Sequence, residues 1–293
     1  MSAKMLNIRG ELLSLDTPVV MGILNVTPDS FYAGSRQQNE AGVAKRIETI
    51  ISEGGAFVDV GGYSSRPDAV EVTAEEEWRR IEPALKMLRD DYPQIPVSVD
   101  TFRADIARRV VEEYGVAMVN DISGGEIDKT DIDDDNIVSD NKMFETVARL
   151  NVPYVLMHMR GTPQTMQQYT DYGDVVEEVM MYFAEKVRIL RLSGVNDIII
   201  DPGFGFSKTL EHNYELMRYL NEFSMMLECP LMVGISRKKM IYDLLDSTVV
   251  DSLNGTTVLN TFALLNGADI LRVHDVKAAV EAVRIVCKIK NIK

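Results

Sequence analysis

The stretch VVMGILN, residues 19–25, is apolar until its last residue, where the amide of Asn25 ends the run. Seven more short apolar runs have this form, each breaking into polar or glycine-rich sequence at its C-terminal end. They are AFVDVGG (56–62), VSVDT (97–101), AMVNDISGG (117–125), PYVLMHM (153–159), DIIIDPGFG (197–205), PLMVGISR (230–237) and DILRVHD (269–275). Strands that are apolar throughout are typical of a parallel sheet covered on both faces.

Between these runs lie longer segments in which apolar residues recur with the 3.6-residue period of a helix. The pattern predicts helices over 40–53, 74–91, 103–114, 142–150, 174–193, 209–228, 237–246, 254–267 and 276–290. Strand and helix therefore alternate along the chain, and we predict an α/β protein, a single-domain (β/α)8 TIM barrel over residues 1–293. An open, doubly wound sheet is the alternative, because periodicity does not show whether a sheet closes.

The chain carries 31 Lys and Arg against 45 Asp and Glu, a formal net charge of −14. So acidic a protein has no general affinity for nucleic acid or anionic membranes, and we predict neither as a partner. The N-terminal sequence lacks the apolar core of a signal peptide, and nowhere do about 18 apolar residues run together. We therefore predict a cytoplasmic location, and an anionic substrate would need a local basic pocket.

An acidic segment, EIDKTDIDDDNIVSD at 126–140, follows the fourth predicted strand. Its D-x-D-x-D spacing resembles a calcium-binding loop, but the sixth position is Asn136 rather than Gly, and the twelfth is Lys142 rather than Glu. We interpret the segment as a solvated acidic loop inserted into the barrel.

Polar residues stand at the C-terminal ends of the predicted strands, which meet at one face of a barrel and form its active site. They are Asn25, Asp59, Asp100, Asn120, His158, Asp201, Ser236 with Lys238, and Arg272 with His274. A single strand-end Asp or Asn often only caps a helix or a turn. Capping does not predict this mixture of acids, amides and bases, so we expect a ligand site. Within the set, His158 is interpreted as structural.

The types of residue at the strand ends indicate the chemical class of the ligand. Asp100, Asn120 and Asp201 offer acceptors and one amide, which suit the edge of a flat heterocycle with several N–H groups. The residues that offer cations for a phosphate or carboxylate are Lys238, Arg272, His274 and Arg66. The implied substrate is a heterocycle joined to an anionic group.

Eight blocks, in order along the chain, closely resemble the dihydropteroate synthase family. They are NVTPDSF (25–31), DVGG (59–62) with SSRP (64–67), SVDT (98–101), NDI (120–122), LMHM (156–159), DPGFGFSK (201–208), GISRK (234–238) and RVHD (272–275). The resemblance implies a homodimeric (β/α)8 barrel and sulfonamide target. It also implies the condensation of 6-hydroxymethyl-7,8-dihydropterin diphosphate with 4-aminobenzoate, giving 7,8-dihydropteroate and diphosphate in folate biosynthesis.

The resemblance also assigns roles to matching residues. Those expected to bind the pterin are Asp100, Asn120, Asp201 and Lys238, and Arg272 is expected to lie against the ring. Those expected to hold the diphosphate are Asn25, Ser65, Arg272 and His274, with Asn25 also giving an oxygen to Mg²⁺, the implied cofactor. Those expected to be catalytic are Asp29, Arg66 and Lys238. The family mechanism breaks the C–O bond to diphosphate first, and the amine nitrogen then attacks a pterin-methyl cation under two closing loops.

Two loop sequences depart from the family pattern. The family usually continues NVTPDSF with S-D-G-G, whereas this chain has Tyr32 and Ala33, so a loop carboxylate is missing. The family's G-G-E-S-T-R-P reads GGYSSRP here, with Tyr63 in place of Glu and Ser65 in place of Thr. A catalytically weak pterin-binding paralogue is therefore one alternative. A methyltransferase-type pterin domain is another, although it would have no basic diphosphate site, and GISRK and RVHD count against it.

Overall fold

Ten strands form two sheets in the computed structural model, which describes residues 4–27, 36–64, 72–127 and 141–292. The first sheet is an antiparallel hairpin of β1 (Met5–Ile8) and β2 (Glu11–Ser14). The second is an eight-stranded parallel sheet. Its strands are β3 (Val19–Asn25), β4 (Phe57–Gly61), β5 (Val97–Asp100), β6 (Met118–Asp121), β7 (Tyr154–Met157), β8 (Ile198–Asp201), β9 (Met232–Val233) and β10 (Ile270–Val273).

The parallel sheet closes on itself. Its order is β8-β7-β6-β5-β4-β3-β10-β9, in which the pairing of β10 with β3 joins the last strand to the first. The remaining edges, β8 and β9, meet at an isolated parallel bridge between Ile200 and Leu231. The Ile200 N–H donates to the Pro230 carbonyl at 2.9 Å across this seam. The predicted (β/α)8 barrel is confirmed, and the open sheet is excluded.

Helices follow the strands around the outside of the barrel. They are α1 (Arg36–Ser52), α2 (Ala74–Asp91), α3 (Ala104–Tyr114), α4 (Lys142–Leu150), α5 (Val175–Leu192), α6 (Leu210–Arg218), α7 (Leu220–Met226), α8 (Lys239–Leu244), α9 (Leu253–Leu265) and α10 (Val276–Lys290). The single helix predicted over 209–228 is two, because Tyr219 leaves helical backbone geometry between them. None of the helices in the described parts of the chain is long and apolar enough to cross a membrane.

Side-chain caps explain where several helices begin. Thr73 and Asp174 accept hydrogen bonds from first-turn N–H groups of α2 and α5, which would otherwise lack partners. Thr209 does the same for α6, and the ring of His212 accepts in return from the Thr209 N–H. His212 therefore has a structural role at a helix start.

The N-terminal hairpin closes the bottom of the barrel, and it was not predicted from the sequence. Arg9 and Gly10 form its two-residue turn, both at positive φ, as the right-handed twist of a hairpin favours. The buried side chains of Leu6 and Ile8 pack against the lower barrel interior. Because apolar side chains of the described residues fill this end, we expect a ligand to enter the barrel from the opposite end.

Side chains alternate between the inside and the outside of the barrel along each strand, so residues two apart point to the same side. The inward-pointing side chains form two layers inside the barrel. The lower layer is apolar and contains Met21, Phe57, Met118, Val155, Ile199, Met232 and Ile270. Two residues further along the same strands stand Ile23, Asp59, Asn120, Met157, Asp201, Gly234 and Arg272. The change from an apolar to a largely polar layer marks the floor of the site.

Candidate active site

Polar side chains from four strands, including Arg272 from β10, meet at the carboxyl-terminal end of the barrel. Arg272 Nε donates to Asp59 Oδ2 and Nη2 donates to Asp100 Oδ2, each at 2.7 Å. Asn120 Nδ2 donates to the same Asp59 oxygen at 3.2 Å. The parallel register places Asp100 beside Asn120 and beside Gly61, which is two residues beyond Asp59 on the same face of β4. We call these four polar residues the arginine cluster.

Burial governs the charges of the arginine cluster. The side chain of Asp59 is fully buried, whereas those of Arg272 and Asp100 keep 19% and 18% of their exposure. Burial alone would lower the pKa of Arg272, but the two carboxylates raise it, and the net shift is upward. Burial raises the pKa of Asp100, an effect that Arg272 opposes and the charge of Asp59 reinforces. The sequence places Asp59 at a strand end, but no local pattern assigns it this central position.

Asn25 faces the arginine cluster across Gly61. A Cβ atom on Gly61 would lie 3.3 Å from Asn25 Oδ1 and 3.6 Å from Asp100 Cβ, so the absent side chain leaves room between them. The amide oxygen of Asn25 is a hard ligand of the kind Mg²⁺ takes. No group of three or more His, Cys, Asp or Glu suited to a metal occurs in the described ranges.

Asp201 and Lys238 stand on opposite sides of the β8–β9 seam, and the charge of each affects the pKa of the other. Asp201 Oδ1 accepts from the Gly203 N–H at 2.8 Å, and a Cβ atom on Gly234 would lie 3.6 Å from Oδ2. The ammonium of Lys238 donates to the Phe204 carbonyl. Burial lowers the pKa of Lys238 to about 8, although the charge of Asp201 opposes the shift. Burial raises the pKa of Asp201, against the effect of Lys238.

The loop between β8 and α6 is held by Lys208, a residue to which the sequence patterns gave no role. Its buried Nζ lies 2.9 Å from His158 Nδ1 and donates to the carbonyls of Gly203 at 3.1 Å and Phe206 at 2.9 Å. Acceptance by Nδ1 places the proton of a neutral His158 on Nε2. Burial lowers the pKa of both Lys208 and His158 well below their usual ranges. The structural interpretation of His158 agrees with these contacts.

His274 lies beside Ser236, whose Oγ accepts from the His274 N–H at 3.1 Å and is 3.2 Å from Nδ1. Burial lowers the pKa of His274 to about 4, with further lowering by Arg272 and Arg46. The imidazole in this structure is therefore neutral at pH 7. In its neutral form His274 would offer a diphosphate a hydrogen bond rather than a charge.

An apolar wall borders the polar residues. Its buried members are Phe102, Ile122, Met157, Met159 and Met166, with Tyr63 and Phe206 packed against them. The Tyr63 ring meets Phe102 edge to face at 5.0 Å, and its hydroxyl accepts from Gln164 Nε2 at 2.5 Å. The residue that replaces the family's Glu thus joins the wall, which gives a flat ring an apolar surface to lie against.

Several predicted residues lie outside the described part of the chain. They are Asp29, Ser65 and Arg66, together with Ala33 and the acidic segment from 128 to 140. The structure brings Asp100, Asn120 and Arg272 together in the arginine cluster, with Asn25 beside them. Asp201 and Lys238 both form hydrogen bonds to the loop that follows β8. Acceptors, an amide and two cations therefore share one end of the barrel.

This fold and this site together define a class of protein: a (β/α)8 barrel with carboxylates, an amide and two cations gathered at the carboxyl-terminal end of its strands. Comparison with known proteins agrees. Residues 21–274 match the model of the pterin binding enzyme family. The chain is 39% identical over 280 residues to dihydropteroate synthase of Escherichia coli strain K12, covering 95% of this chain and 94% of that protein.

A second relative, dihydropteroate synthase of Synechocystis sp., is 40% identical over 275 residues, covering 93% of this chain and 89% of that protein. Among solved structures, Xanthomonas albilineans dihydropteroate synthase with 4-aminobenzoic acid superposes with a TM-score of 0.85 at 33% identity, covering all of both chains. The chain belongs to the pterin binding enzyme family and, within it, to the dihydropteroate synthases.

Proposed function

We infer that the protein is a dihydropteroate synthase, which joins 6-hydroxymethyl-7,8-dihydropterin diphosphate to 4-aminobenzoate in folate synthesis. The observation that carries this inference is the arginine cluster beside Asp201 and Lys238. It sets acceptors for ring N–H groups next to cations for a diphosphate, inside a barrel open at one end only.

The pterin edge is assigned to Asp100, Asn120 and Asp201. A carboxylate accepts from N–H groups, and an amide donates and accepts, so the three match a ring edge that offers several donors. All three lie at strand ends, where the sheet fixes their spacing. The apolar wall would then contact the faces of the ring, away from water.

The reaction needs stabilisation of separating charges rather than a strong base. As the C–O bond to the leaving diphosphate breaks, negative charge grows on the diphosphate and positive charge on the pterin methylene. Arg272 and Lys238 face the first of these, and the carboxylates of Asp100 and Asp201 face the second. The site would also hold the amine nitrogen of 4-aminobenzoate in line with the methylene carbon.

Mg²⁺ is part of the proposal. Asn25 fits it, because its amide oxygen lies at the barrel rim beside the expected diphosphate, and Mg²⁺ usually takes few protein ligands when phosphate oxygens supply the others. When bound, the ion would neutralise charge on the leaving diphosphate. We also retain Asp29 and Arg66 as catalytic residues and Ser65 as a residue that binds the diphosphate, all three of which lie outside the described residues.

A homodimer and a cytoplasmic location complete the proposal. Exposed apolar side chains on α9 and α10 support the homodimer, and they include Val258, Phe262, Leu265, Ile285 and Ile289. Exposed apolar side chains grouped on two neighbouring helices are typical of a protein contact. Val258→Asp should convert a dimer to a monomer in light scattering, and a wild-type chain that is already monomeric would remove this part of the proposal.

The deciding experiment measures diphosphate release from the pterin diphosphate, with and without 4-aminobenzoate. We expect release to depend on the amine and to be matched by formation of dihydropteroate. Asp201→Asn serves as the control, since it keeps the shape of the side chain and loses its charge. Tight binding without turnover would favour the weak paralogue instead. Binding that gains nothing from the diphosphate would favour the methyltransferase-type domain.

A further inference from the structure

Two loops at the carboxyl-terminal end of the barrel are fastened to each other by an ion pair that the proposed function does not use. Arg237, after β9, binds Asp275, before α10, through two parallel hydrogen bonds of 2.8 and 2.9 Å. The third guanidinium nitrogen donates to the carbonyls of Val249 at 2.9 Å and Val250 at 2.8 Å. Every nitrogen of the guanidinium is therefore used in one fixed arrangement.

The backbone of Arg237 is strained as well as bonded. Its φ is +55°, a left-handed conformation that a residue with a Cβ adopts at a steric penalty. Arg237 stands in a tight turn that the Lys238 N–H closes on the Ile235 carbonyl at 3.1 Å, and its own N–H donates to Thr256 Oγ1 at 3.0 Å. The surrounding bonds hold a conformation that an arginine would otherwise leave.

The residues next to this pair in sequence are residues of the proposed site. Lys238 follows Arg237, and His274 precedes Asp275. Ser236, on the other side of Arg237, accepts the His274 N–H at 3.1 Å, so the two loops are bonded twice. Each residue of the ion pair is thus one peptide unit from a site residue, so a displacement of the pair would displace Lys238 and His274 as well.

We propose that Arg237 and Asp275 form a positioning pair, here called the clasp, that holds Lys238 and His274 in the geometry required by the pterin diphosphate. The inference rests on the proposed function, because the clasp touches no substrate itself. It assigns a role in the reaction to an ion pair that lies outside the expected contact residues, and it connects the site to the 249–250 backbone before α9.

The test compares Asp275→Asn and Arg237→Gln with wild type in substrate kinetics. A misplacement near 1 Å of a group that contacts the substrate can lower a rate by about 100-fold, so we expect kcat/KM for the pterin diphosphate to fall by about 10-fold to 100-fold. The double variant should be no worse than either single variant, because both remove the same interaction. Arg237→Lys keeps the charge without the paired geometry and should be intermediate.

A pH profile separates positioning from simple stability. Lys238 faces the charges of Asp201, Arg272 and Asp100, and burial holds its pKa at about 8. When the clasp is removed, the ammonium should gain access to water, and the alkaline limb of the profile should move upward. A merely structural role would lower the melting temperature and leave that limb in place.

A matched control exists at the opposite end of the barrel. Lys4 pairs with Asp269 at 2.7 Å with side-chain exposures of 23% and 13%, so this pair is at least as buried as the clasp, whose exposures are 24% and 26%. Lys4→Gln should lower the melting temperature without altering KM or the pH profile. Clasp variants that behave like Lys4→Gln, or like wild type, would overturn the proposal.

Calorimetric binding of the pterin diphosphate keeps the two inferences distinct. Wild-type protein that neither binds the ligand nor releases diphosphate would refute the proposed function. Wild-type protein that does both, beside clasp variants with unchanged affinity and kinetics, would refute the clasp alone.

Discussion

Replacement of the central carboxylate, Asp59→Asn, tests the arginine cluster most directly. The side chain is fully buried and accepts from Arg272 Nε at 2.7 Å and Asn120 Nδ2 at 3.2 Å. Asparagine keeps the shape and one acceptor oxygen but removes the charge, leaving Arg272 with Asp100 as its only carboxylate partner among the described residues.

The expected loss of stability depends on the partners that Arg272 keeps in the variant. Loss of one partner from a buried ion pair costs about 3 to 5 kcal/mol when the other charge has no further partner. Here Arg272 keeps Asp100 and 19% exposure, so we expect the free energy of unfolding to fall by about 2 to 3 kcal/mol. For a chain of 293 residues the entropy of unfolding is about 0.6 kcal/mol/K, so this corresponds to a melting temperature lower by about 3 to 5 °C.

The same substitution should change the acid side of the activity profile. The negative charge of Asp59 helps to raise the pKa of Asp100, so its removal should lower that pKa and extend activity toward lower pH. Pterin affinity should fall, because Arg272 and Asn120 lose a shared anchor.

Thermal and urea denaturation followed by circular dichroism would measure the stability change, and calorimetry would measure pterin affinity. Asp90→Asn is a suitable control, since Asp90 lies in an exposed pair with Arg89 and its loss should have no measurable effect. A melting temperature for Asp59→Asn equal to that of the control would refute the buried-charge argument.

Three further predictions follow from the same site. Asp201→Ala should weaken pterin binding by about 2 to 5 kcal/mol in calorimetry, because buried ring N–H groups lose their acceptor; unchanged affinity would remove Asp201 from the site. Activity should fall as pH rises through about 8, where Lys238 loses its proton. Stability should rise from about pH 8 toward pH 10.5, because the unfolded chain then holds a proton that the folded chain does not, and Lys238→Met should abolish both trends. Gly203→Ala should not fold normally in thermal melts, since φ is +68° and the new Cβ would lie 2.1 Å from the His158 carbonyl oxygen; wild-type stability would contradict this path of the loop after β8.

Strand and helix order was predictable because each element carries its own periodic signal. The runs at 19–25 and 276–290 give the observed bounds of β3 and α10 without adjustment. The run at 230–237 yields only two strand residues, and it ends in a turn where Arg237 has a left-handed backbone conformation. An arginine in the sequence gives no indication of such a conformation. The hairpin turn at Arg9 and Gly10 likewise lacks the Asn-Gly or Asp-Gly sequence that would have indicated it.

The site was predictable as a set of strand ends but not as a network. Arg272 is 213 positions from Asp59 and 172 from Asp100, and pairing over such distances leaves no local pattern. The role of Lys208 has no sequence signal for a similar reason, because it depends on His158, which follows the neighbouring strand β7. The neutral state of His274 depends on burial and nearby arginines, which sequence alone does not show.

The weakly paired seam between β8 and β9 means that ligand binding should stabilise the barrel locally. The two strands share one isolated bridge at Ile200 in the continuous stretch 141–292, so local opening should be easiest there. Asp201 lies on one side of the seam and Lys238 on the other, and the bond from Lys238 to the Phe204 carbonyl already crosses it. A pterin bound by both side chains would connect the two sides of the seam and stabilise the barrel there. Amide hydrogen exchange at Ile200 should then slow more on ligand binding than exchange in β5 or β6.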